Sequence, residues 1–99
     1  GAEEHLRSAL SEQPDYPDLL FLLGKALDGQ GRGREAKECY ERALAHNPGY
    51  VDARLALGFS LLNEGEEARG AEVLAEALRA DPANPAARAL ADPRLLDDL

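Results

Sequence analysis

A single cysteine in 99 residues leaves no partner for an internal disulfide, which fits a reducing compartment and points to the cytoplasm. The two histidines, His5 and His46, lie far apart, and neither has another His or Cys three or four residues away, so no metal-ligand spacing exists. Basic residues are scarce: 11 Lys and Arg face 19 Asp and Glu, for a formal net charge of −8. Nucleic acid and anionic membrane surfaces, which select a basic face, are thereby excluded as partners. No apolar run approaches the ~20 residues that a membrane helix needs. There is neither a secretory signal peptide nor an initiating Met, so Gly1 reads as following a removed tag or a cut in a longer chain. Few lysines beside abundant Arg, Ala and Leu point to a bacterial source.

What the chain does have is a period. Pro14, Pro48 and Pro82 are spaced by 34 residues, and the same step carries Leu23-Gly24 onto Leu57-Gly58, Leu27 onto Leu61 and Gly31 onto Gly65. It also links Ala9, Ala43 and Ala77, then Leu10, Leu44 and Leu78. A fixed period of this size is the mark of stacked helical units, each burying its apolar face on its neighbours in place of a central core. The largest share of the acidic excess falls in 51–84, whereas 17–50 is balanced.

Apolar spacing within each period is helical. Ala2, Leu6, Ala9 and Leu10 form one stripe, which Gln13-Pro14-Asp15-Tyr16-Pro17 stops. A helix over about 18–29 follows, with Leu20, Leu23, Gly24 and Leu27 on one side and Leu19, Phe21 and Leu22 left over. Such a helix needs a covering on more than one face. The glycines at 29, 31 and 33 turn the chain into a helix over about 34–46, striped by Ala36, Cys39, Tyr40, Ala43 and Leu44, with Glu38 and Arg42 as an outer i,i+4 pair. The pattern then restarts: helices are predicted over 51–63 and 67–80, with Leu57, Gly58 and Leu61, then Gly70, Leu74, Ala77 and Leu78, on their stripes.

The residues Leu20-x-x-Leu23-Gly24-x-x-Leu27, Ala36-x-x-x-Tyr40, Ala43 and Pro48 resemble a tetratricopeptide repeat, as do Leu57-Gly58-x-x-Leu61, Leu74, Ala77 and Pro82. Leu20 and Arg54 stand where the family usually has Trp, and Gly70 stands where it has a small Ala. A helical Gly costs on the order of 1 kcal/mol against Ala. The resemblance implies an all-α fold: antiparallel helix-turn-helix repeats stacked as a short right-handed α-solenoid. One domain over 1–99 is expected: 2–16 as the second helix of a partial repeat, 17–50 and 51–84 as full repeats, and 85–99 as a capping helix and tail. Asn84-Pro85 reads as the start of that helix, and Leu90, Leu95, Leu96 and Leu99 as apolar residues that cover the last repeat.

Candidate chemistry is thin. Gly29-x-Gly31-x-Gly33 looks like a phosphate loop, but such loops follow a strand, and here a helix precedes and Gly31 recurs as Gly65. Arg32, Arg34 and Lys37 near a helix start are read as solvated charge in preference to an anion site, and Cys39 as a packing thiol in preference to a nucleophile. No two carboxylates are singled out as a buried acid pair. The chain is accordingly read as having no enzymatic activity and no cofactor.

The family resemblance places a partner groove on the first helix of each repeat. It would be lined by Asp18, Phe21, Leu22 and Lys25, with Asp28, from one unit, and by Asp52, Leu55, Phe59 and Leu62, with Ala56 and Asn63, from the next. Family members that clamp a terminal carboxylate use Lys, Asn and Arg there. Only Lys25 is basic here, so that activity is not carried over. The expected function is a protein–protein interaction scaffold that holds an apolar or amphipathic segment with basic flanks. Self-assembly into a homo-oligomer and service as an accessory repeat domain of a larger enzyme are the alternatives.

Overall fold

The computed structural model describes residues 1–85 and contains five α-helices among them. These are α1 (Ala2–Glu12), α2 (Pro17–Gly29), α3 (Gly33–His46), α4 (Val51–Asn63) and α5 (Glu67–Ala80). The predicted helices agree to within one residue at each end; α2 and α3 each begin one residue earlier, α2 because Pro17 takes its first position. The capping helix and tail expected over 85–99 lie outside the described residues, apart from Pro85.

The chain turns the same way within each helix pair. After α2 the amide of Arg32 donates to the Leu27 carbonyl at 2.9 Å and that of Gly31 to the Asp28 carbonyl at 3.0 Å. After α4 the amides of Glu66 and Gly65 repeat these bonds to Leu61 (2.9 Å) and Leu62 (3.1 Å). This closure satisfies carbonyls that a helix end leaves open, and it needs one residue at positive φ. Gly31 at 77° and Gly65 at 85° supply it, which is why glycine recurs there.

Packing follows chain order. Helix α2 packs on α3 and α4 on α5 as hairpins, while α1 lies on α2 and α3 on α4. Leu20, Leu27, Leu61 and Tyr40 are fully buried along these seams, with Ala36, Ala43 and Ala77 where helices come close. Burying a Leu contributes roughly 1.5–3 kcal/mol, and these residues face neighbouring helices, so stability is spread along the stack.

Two features of the second repeat differ from expectation. Gly70 is required by close approach: a Cβ there would lie 3.0 Å from the Gly58 carbonyl oxygen and 2.9 Å from Leu62. Arg54, standing where the family usually has an apolar Trp, donates to Glu76 at 2.8 Å and to the Pro48 carbonyl at 2.7 Å. In the first repeat Arg42, expected to pair with Glu38, donates instead to the Pro14 carbonyl at 3.1 Å and ties α3 to the preceding turn.

Candidate interaction surface

The first helices α2 and α4 touch, and their outward residues form the candidate site. Among the large apolar side chains, Leu22 is 48% exposed, Phe59 42% and Leu62 36%. Isolated exposed apolar residues are ordinary, whereas three on two touching helices make a candidate contact surface. Asp18, Lys25 and Asp52 on the same two helices are also exposed. Asp18, Leu22 and Lys25 follow a helical i, i+4, i+7 spacing, and Lys25 has no ion-pair partner among the described residues.

Four members of the expected set have other surroundings: Ala56 is buried in the main core, and Leu55, Phe21 and Asp28 each have packing or hydrogen-bond partners. Leu55 is only 4% exposed and packs with Val51, Leu74 and Ala77, so it serves the α4–α5 hairpin and is not a free lining residue. Phe21 is partly buried; its ring lies 5.3 Å from Tyr50 and 6.0 Å from Tyr40, tilted about 45° to each. Burial pushes the Tyr50 phenol up to about 12, with the neighbouring Asp18 carboxylate adding to the shift. Tyr16, just before α2, is a further exposed large side chain, 47% exposed, that sequence spacing did not single out.

Asp28 points elsewhere. Its carboxylate accepts the Tyr40 hydroxyl at 2.6 Å and the Ser60 hydroxyl at 3.2 Å, joining the two hairpins. Burial first, then this hydrogen bond, raises the Tyr40 phenol far above its ordinary range, so it stays a donor. Beside the trio lies a cleft of about 230 Å³ lined by Asp28, Gly31, Gly33, Ser60, Asn63 and Glu64.

Of the remaining candidates Arg34 is exposed, and the others are occupied by structural contacts. Arg32 pairs with Glu3 and Glu35, and Lys37 bridges Glu64 at 2.7 Å and Glu66 at 3.0 Å, so neither is free to hold an anion. Cys39 is buried, and desolvation raises its thiol, which keeps it protonated and a poor nucleophile. His46 Nε2 lies 3.1 Å from Asp15. Among the described residues no cluster of His, Cys, Asp and Glu is arranged to hold a metal, and no helix is long and apolar enough to cross a membrane.

Antiparallel helix pairs at a 34-residue step define a helical-repeat protein. The chain belongs to the tetratricopeptide repeat family, whose model matches residues 21–85. Repeats of this family generally mediate protein–protein interaction and act as non-catalytic scaffolds. The fold is similar to the crystal structure of MamA protein, with a TM-score of 0.74 and 24% identity over 81% of this chain. The match covers 44% of that chain, so the present sequence spans less than half of its length. No curated protein sequence matches.

Proposed function

We propose that the strip formed by Leu22, Phe59 and Leu62, bordered by Asp18, Lys25 and Asp52, holds an apolar or amphipathic segment of a protein partner. The observation that carries this reading is the exposure of three large apolar side chains on adjacent first helices of a family that works by protein contact. Burying those side chains against a partner removes apolar area from water, which favours association. The two carboxylates at the starts of α2 and α4 favour Lys or Arg beside the apolar part of the ligand. In this reading 2–16, 17–50 and 51–84 are one half-repeat and two repeats of a single domain, 85–99 caps it, and the domain carries no catalysis of its own. A reducing, cytoplasmic setting fits the buried free thiol of Cys39.

Selection of phage-displayed random peptides on the wild-type protein tests the proposal. Enriched sequences should combine Leu, Ile, Phe or Val with a basic flank, and Phe59→Glu should lose them while its circular dichroism stays helical. Peptides that bind the Phe59→Glu protein equally well would place the contact elsewhere.

A further inference from the structure

The ion pairs between consecutive second helices recur with every charge reversed. At the first seam Glu3 of α1 meets Arg32, and Arg7 of α1 lies 3.6 Å from Glu35. One period later Lys37 of α3 meets Glu66 at 3.0 Å, and Glu41 of α3 lies 3.9 Å from Arg69. The step of 34 carries Glu3 onto Lys37, Arg7 onto Glu41, Arg32 onto Glu66 and Glu35 onto Arg69, so all four positions change sign. Each seam is internally complementary and opposite to the other. The corresponding positions on α5, Ala71 and Ala75, carry no charge.

We propose that this reversal is a recognition code between hairpins, so that each seam accepts its own hairpin and rejects the other, including that of a second copy of the chain. Both hairpins present similar apolar faces, because the same Leu, Ala and aromatic or Leu positions recur. Apolar burial therefore discriminates poorly between them, being non-directional. If the α4–α5 hairpin docked on α1, Glu66 would meet Glu3 and Arg69 would meet Arg7. A second copy's α2–α3 hairpin on α3 would set Arg32 against Lys37 and Glu35 against Glu41. Both wrong pairings oppose like charges at two places. Partly exposed ion pairs add little net stability, but like-charge contact disfavours a wrong partner, and specificity is a difference between right and wrong. Repeats invite such exchange because identical elements can swap between copies.

The double variant Arg32→Glu/Glu35→Arg tests this on the full 99-residue chain. It keeps opposite charges within α3 but shows α1 the pattern of the wrong hairpin. Its melting temperature in low salt should fall by several degrees, and the loss should shrink in 1 M NaCl. Adding Glu3→Lys/Arg7→Glu makes the seam complementary again, and that quadruple variant should recover at least half of the loss. Should the double variant not fold, the quadruple variant still decides, because recovery requires the pairing itself. A double variant that melts with the wild type, or a quadruple variant that stays as low as the double, would overturn the code.

Discussion

The Tyr40 hydroxyl donates to the Asp28 carboxylate at 2.6 Å, across the hairpin that Gly31 closes. Tyr40 is wholly buried, and its ring fills the space that a side chain at position 24 would take. One residue thus sets both the closeness of α2 to α3 and the direction of Asp28. Tyr40→Phe keeps the ring and removes the donor, leaving Asp28 with Ser60 alone. A loss of about 1–2 kcal/mol is expected in urea unfolding, since a hydrogen bond to a charged acceptor exceeds a neutral one. Unchanged stability would mean that water replaces the hydroxyl without cost.

Alkaline pH should weaken the fold. Tyr50 is raised from 10.0 to about 12 in the folded protein. A raised folded value means that the contribution is complete below the unfolded value and is lost as pH climbs toward the folded one. Stability should therefore fall between pH 10 and pH 12, followed by circular dichroism with tyrosinate absorbance. Tyr50→Phe should flatten part of that fall, and an equally steep fall would assign it to other groups.

Gly70→Ala should destabilise, although Ala is the better helix former. Its methyl would press on the Gly58 carbonyl, which cannot rotate away, and on Leu62. Overpacking of this kind costs about 1–3 kcal/mol, more than the ~1 kcal/mol gained in helix propensity. A rise in melting temperature on this substitution would show that α4 and α5 separate easily.

Leu55→Ala and Phe59→Ala should part company. The first empties a buried site among Val51, Leu74 and Ala77 and should cost about 2–5 kcal/mol. Phe59 is 42% exposed, so its truncation should cost clearly less while weakening any bound peptide. Chemical denaturation of both variants makes the comparison, and equal losses would place Phe59 in the core.

Gly31→Val and Gly65→Val should each cost about 1 kcal/mol or more, because a β-branched side chain opposes positive φ. Nothing lies within 4 Å of a Cβ at either position, so conformation and not crowding sets the loss. Matching urea midpoints for variant and wild type would exclude that cause.

The helices were legible in the sequence because local chemistry marks several of their ends. Proline opens α2, glycine at positive φ closes α2 and α4, and apolar spacing fills the interval. The surface was only partly legible. Spacing puts Leu55 in the same class as Phe21 one period earlier, and only packing against Leu74 and Ala77 removes it from the exposed set. The Tyr40–Asp28–Ser60 trio escaped for a related reason: one period later Asp28 becomes Leu62 and Tyr40 becomes Leu74. A polar group that occurs once is invisible to a search for what repeats. Gly70 looked like a weakness because the carbonyl it accommodates belongs to another helix.

Because helices here pack chiefly on those next in sequence, mechanical load has a mainly serial path to follow. Tension applied along the stack would peel away one hairpin before reaching the next. The polar tie from Asp28 to Ser60 and the seam charges at Lys37 would act as rivets between links. Extension under such tension should therefore rise in steps the size of a hairpin.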